Sequence, residues 1–208
     1  MAELTMENVP PKIRELFNKG FVAMERGNLD YAIIMFRACI DREPRFLNAR
    51  KFLRAAEIKL AKSKPESSMG RMFGQAANMP GIMKAMIQIK SNKPMDALAT
   101  VEDMLHKNPL NPHLIKMLDQ AAEAAGMPEV AIQTLSMVRE YLPEDAEFVE
   151  RLGNLYMKTD QHTLGRQCFE TLCEMRPNDS RAIKLLKDAM ALDTMSKEWK
   201  EAGEGGDY

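Results

Sequence analysis

Apolar residues return at helical spacing along most of the chain. Leu16, Phe17, Gly20, Ala23 and Met24 define one face, and Ala32, Phe36, Cys39 and Ile40 define a second. These two runs predict a helix over Pro11–Arg26 and another over Leu29–Arg42. Gly27-Asn28 forms the turn between them, with Asn28 suited to cap the second helix. Pro10 and Pro11 favour a helix start, and Pro44 prevents the second helix from continuing. The same arrangement then repeats. Pro109, Pro143 and Pro177 are spaced 34 residues apart, and Pro44 precedes Pro109 by two such intervals less three residues. Twelve positions before each of these prolines stands a small residue: Ala32, Ala97, Ala131 or Gly165. Eight positions before stands a large apolar one: Phe36, Val101, Leu135 or Phe169. A fixed period of this length implies an array of helix–turn–helix units.

The units divide the chain into an N-terminal segment over 1–12 and blocks over 13–46, 47–77, 78–111, 112–145 and 146–179. A cap over 180–192 follows, then a flexible tail or linker over 193–208. The second block is irregular. Leu47 to Lys62 reads as a helix, but Ser63-Lys64-Pro65-Glu66-Ser67-Ser68 reads as a loop. Only a short helix over Met69–Ala77, weakened by Gly70 and Gly74, is expected after it. Pro94 and Pro128 sit at the first turns of later helices. Asn178-Asp179-Ser180 offers a cap for a last helix over Arg181–Leu192, with Ile183, Leu186 and Met190 on one face and Thr194–Lys200 as a possible extension. Gly203-Glu204-Gly205-Gly206 predicts the end of helical structure.

The block 13–46 resembles a tetratricopeptide repeat, with Gly20, Ala32, Phe36 and Pro44 at the positions that define that family. The block 146–179 resembles it equally through Leu152-Gly153, Tyr156, Gly165, Phe169, Leu172 and Pro177. Blocks 78–111 and 112–145 are weaker: Ala85 takes the small position in the first, and Asp119 departs from it in the second. The resemblance implies an all-α fold, a right-handed α-solenoid with a C-terminal capping helix. It further implies a binding scaffold whose first helices line a concave groove.

Composition narrows the chemistry. Lys and Arg number 29 and Asp and Glu 30, for a net charge of −1, so the basic excess of a nucleic-acid binder is absent. No apolar run is long enough to span a membrane. The opening Met1–Glu7 lacks the basic and apolar regions of a secretory signal, which makes cytoplasmic location the expectation. Cys39, Cys168 and Cys173 have neither an even count nor CxxC spacing, so neither disulfides nor zinc are expected. His106, His113 and His162 have no ligand-spaced partner in sequence. No phosphate-loop, dinucleotide or nucleophile-elbow motif is present. Gly70 and Gly74 lack the Lys-Ser/Thr and preceding strand that a phosphate cradle needs. No catalytic residue, metal or cofactor is therefore assigned, and an enzyme is not expected.

The groove placement implied by the resemblance assigns Phe17, Phe21, Met24, Ile82, Met86 and Ile89 to an apolar half. It assigns Lys116, Gln120, Glu150 and Asn154 to a polar half. The expected function is a scaffold that binds a protein partner's peptide or helix there. Self-association of the array into a homo-oligomer, or service as the interaction module of a longer protein, are the alternatives. The irregular segment Ser63–Ala77 folding back as a plug is a further way to cover the apolar half. Repeats that grip chaperone C-terminal carboxylates need a set of Lys, Asn and Arg in the groove. Here only Lys116 and Arg151 match isolated positions, so that role is not expected.

Overall fold

The computed structural model describes residues 6–63, 68–142 and 145–204. Among them are ten α-helices and no strand. They run α1 (Pro11–Glu25), α2 (Leu29–Arg42), α3 (Leu47–Ser63), α4 (Ser68–Lys90), α5 (Pro94–Lys107), α6 (Pro112–Ala124), α7 (Pro128–Arg139), α8 (Ala146–Lys158), α9 (His162–Met175) and α10 (Ser180–Glu204). Packing divides the chain into two compact units, Met1–Thr134 and Leu135–Tyr208. No helix among the described residues is long and apolar enough to cross a membrane.

Helix boundaries follow local chemistry. The Asn28 side chain accepts a hydrogen bond from the Tyr31 amide and caps α2. Asn111, Asp145 and Asp179 cap α6, α8 and α10 in the same way. Pro94 and Pro128 open α5 and α7, where a missing amide hydrogen leaves nothing unpaired. Gly27 and Gly126 turn the chain between paired helices at positive φ, a conformation that costs glycine nothing.

In the first unit α1 packs on α2, α2 on α3, α3 on α5, α4 on α5, and α5 on α6. The helix expected over Met69–Ala77 is not a separate element. It is continuous with the following block, so α4 runs through the expected boundary at 77/78 with Pro80 inside it. Ala76-Ala77 are good helix formers, and residues 75–79 contain no glycine or proline to end the helix at that boundary. The loop at 64–67 and the plug reading for Ser63–Ala77 lie largely outside the described residues.

In the second unit α8 pairs with α9, and α9 with α10. A Cβ built on Gly153 would lie 2.6 Å from Cε1 of the buried Phe169. A Cβ on Gly165 would lie 3.3 Å from the Gly153 carbonyl oxygen, so these two helices meet through small residues. An exposed helical glycine gains about 1 kcal/mol on becoming alanine. At Gly153 the ring must move, and Gly153→Ala is expected instead to destabilise by about 1–3 kcal/mol, as a lowered thermal midpoint would show.

The cap differs from expectation in length and in facing. The helix does not stop at Leu192 but reaches Glu204. Its packed face carries Ala182, Ala189 and Asp193, whereas Ile183 and Met190 are exposed. Asp193 explains the extension. Its carboxylate accepts from the Thr163 hydroxyl at 2.6 Å and from Lys197 at 2.9 Å, and faces Arg166 Nε at 3.1 Å. The Thr163 and Lys197 hydrogen bonds hold the Asp193 carboxyl below its ordinary range. Residues 193–204 of the expected tail are therefore helical, and 205–208 lie outside the described residues.

Candidate functional site

Two exposed apolar areas and one buried ionic cluster stand out in the first unit. The first area begins in the core. Phe17 is only 6 % exposed, and its ring centroid lies 5.3–5.5 Å from those of Phe36, Phe46 and Phe52. It holds α1 against α2 and α3, and does not face a groove. One turn later Phe21 is 37 % exposed and packs edge-on against Phe52 at 5.4 Å. Met24 is half-buried against the same cluster. Arg14 is turned to the N-terminal backbone, donating to the carbonyls of Glu7 and Val9. A surface pocket of about 500 Å³ also lies between α1 and the start of α2, lined in part by Lys19, Val22, Arg26 and Tyr31.

The second area is on α4. Ala85 is buried, and Ile82 and Ile89 are half-buried. Met79, Met83, Met86 and Ile87 are exposed, at i, i+4, i+7 and i+8, which places them on one stripe of the helix. Met86 is thus at the surface, in company with Met79, Met83 and Ile87. The two areas lie on different helices, α1 and α4.

The polar residues are dispersed. On α6, Lys116 is half-buried and Gln120 exposed. On α8, Glu150 and Asn154 are half-buried. Glu150 is engaged by Arg181 at 2.5 Å and lies 3.9 Å from Arg176.

The ionic cluster joins α3 to α5. Arg50 donates to Glu102 Oε1 at 2.6 Å, and Arg54 to Glu102 Oε2 at 2.5 Å. Arg54 also donates to Glu57 Oε2 at 2.6 Å. The other Glu57 oxygen lies 3.2 Å from His106 Nδ1. Arg50 Nε reaches the Pro44 carbonyl, and Arg37 pairs with Asp103 beside the cluster. All four central residues are buried. Burial alone would raise the Glu102 pKa, but Arg54 and Arg50 outweigh it and hold the carboxyl below the usual range. Every carboxylate oxygen is engaged, so the cluster is built to hold two helices and has no oxygen left over for a ligand. One signal was available in sequence. Arg50, Arg54 and Glu57 fall at i, i+4 and i+7, on the face that carries Leu53. His106 accordingly has a carboxylate neighbour 49 positions away that spacing cannot show.

Cys39 and Cys168 are buried, and Cys173 is half-buried. Burial pushes the Cys39 thiol up to about 11, and its Sγ sits 3.6 Å from the Ile13 carbonyl as a packing group. No group of three or more His, Cys, Asp or Glu able to hold a metal ion occurs among the described residues.

The class these features define is a tandem helix-hairpin array. Within it, residues 146–179 match the family model described as tetratricopeptide repeat. Similar solved structures include MamA residues 41 to the end from Desulfovibrio magneticus RS-1, at 17 % identity, covering 82 % of this chain and 99 % of that one with a TM-score of 0.44. YrrB, described as a TPR protein with an unusual peptide-binding site, is 13 % identical over 83 % of this chain and 90 % of its own, with a TM-score of 0.46. TTC0263, a thermophilic TPR protein of Thermus thermophilus, is 16 % identical over 89 % of this chain and 85 % of its own, with a TM-score of 0.42.

Proposed function

We propose that the chain is a protein-interaction scaffold that takes a partner's peptide or helix on the exposed apolar side chains of α1 and α4. The observation that carries this reading is the stripe Met79, Met83, Met86 and Ile87 on α4. Exposing apolar area costs roughly 25 cal/mol per Å², and contiguous exposed patches mark interaction surfaces. Met suits such a surface because its unbranched, polarizable side chain repacks against different shapes. Phe21 and Met24 form the second contact area. Phe17 is not part of the surface, because it is core. Lys116 and Gln120 are expected to contribute polar rim contacts at most, and Glu150, which belongs to the second unit, is already engaged by Arg181.

Site-specific photocrosslinking tests this. Benzoylphenylalanine at Phe21 or Met86 is expected to give discrete protein adducts in the native host. The same probe at Lys187, exposed on α10, is expected to give none. Absence of adducts from both apolar positions would sink the scaffold reading for this surface.

A further inference from the structure

We infer that the partner of the α4 stripe is an amphipathic helix whose apolar face is flanked by carboxylates. The inference rests on the scaffold reading and adds the partner's chemistry. It starts from charge. Between Ser68 and Met95 the chain contains Arg71, Lys84, Lys90 and Lys93 and no Asp or Glu. The whole chain, by contrast, has a net charge of −1. On the helix, Lys90 extends the stripe, four residues beyond Met86 and seven beyond Met83. Lys84 borders it, and Lys93 lies in the turn directly after α4.

These three ammonium groups are also free. Among the described residues, Lys84, Lys90 and Lys93 are in none of the ion pairs, although Lys19, Arg37, Arg50, Arg54, Arg166, Arg176, Arg181 and Lys197 all are. An apolar stripe with unpaired cations at its edge and end is complementary to a helix carrying apolar anchors at i, i+3, i+4 and i+7 and acidic residues alongside. An anionic lipid surface shares the charge but fits less well. Interfacial helices carry Trp, Phe or Leu on the buried face and a dense basic face, whereas this stripe is Met and Ile with three lysines.

The test uses the full chain and synthetic peptides of about four helical turns, each with leucine anchors and flanking glutamates in several registers. Identical peptides with lysine in place of glutamate are the comparison, and fluorescence anisotropy is the readout. At least one glutamate peptide is expected to bind saturably, and its lysine counterpart to bind roughly tenfold or more weakly. Met83→Glu with Met86→Glu should abolish binding. Lys84→Glu with Lys90→Glu and Lys93→Glu should reverse the preference between the peptides. All five positions are exposed or in a turn, and unchanged circular dichroism and thermal midpoints verify that the variants fold.

The inference is overturned if no glutamate peptide binds, if the lysine peptides bind equally, or if charge reversal changes nothing. Phosphatidylserine vesicles that bind the chain through the same residues, without peptide binding, would overturn it in favour of a lipid surface. Concentration-dependent self-association removed by the Met83 and Met86 changes would overturn it in favour of a second copy. Photoadducts that persist at Met86 while every glutamate peptide fails would leave the scaffold standing and remove only the acidic helix. Loss of both removes the scaffold reading as well.

Discussion

Replacing Glu102 with alanine is expected to cost about 3–5 kcal/mol of stability, because it leaves the buried Arg50 guanidinium without a carboxylate and Arg54 with only Glu57. Glu102 takes both Arg50 and Arg54, and neither arginine can neutralise itself by losing a proton at ordinary pH. Denaturant unfolding followed by helical signal measures the loss. A second variant separates the cost of breaking the cluster from the worth of having it. With Arg50, Arg54, Glu57 and Glu102 all replaced by Leu or Met, no unpaired charge remains, and stability should return to near or above that of the parent.

The pH dependence has a defined sign. The Glu102 pKa is depressed in the folded state, so its contribution is fully present above the ordinary carboxylate range. It is lost as pH falls through the folded value. The stability gap between the parent chain and Glu102→Gln should therefore narrow on acidification. A gap that stays constant from neutral pH to well below the usual carboxylate range would show that the glutamate is not charged in the folded protein.

The second large effect separates two phenylalanines four residues apart. Phe17→Ser is expected to cost about 3–5 kcal/mol, since it opens a cavity among Phe36, Phe46 and Phe52 and buries a hydroxyl. Phe21→Ser should change stability by about 1 kcal/mol or less, since its ring is over a third exposed and has one aromatic neighbour. Parallel urea titrations check this. Equal losses would mean that Phe21 is part of the core. Near-silence at Phe17 would mean that the aromatic cluster does not hold α1 in place. A double Phe17/Phe21 replacement is for this reason a poor test of binding: any loss of capture would include unfolding of α1.

Much of the local structure was legible because its causes are local. Pro44, Pro94 and Pro128 limit where a helix can run, Asn28 and Asp179 satisfy amides two or three residues ahead, and Gly27 supplies a positive φ. Gly20 and Gly153 could be recognised as close-approach positions because the ring that each faces lies sixteen residues on, within one repeat. The candidate site was only half legible. Met86 is exposed, but Phe17 is not, because the outward position in the first helix becomes core when Phe46, just before α3, and Phe52, on α3, close over it.

What the sequence determined by itself is the period, the helices within each regular unit and the lack of any chemical motif, all of which are short-range patterns. The tertiary structure alone decided how the irregular second unit is resolved. There α4 runs on as one helix, α3 packs directly on α5, and Arg50, Arg54, Glu57 and Glu102 meet across some fifty residues of chain. It likewise decided that α10 extends to Glu204, since Asp193 is tethered by Thr163 thirty residues earlier. Partners that distant leave no trace in spacing, because whether a charged side chain is buried and paired depends on which helices come to lie against it.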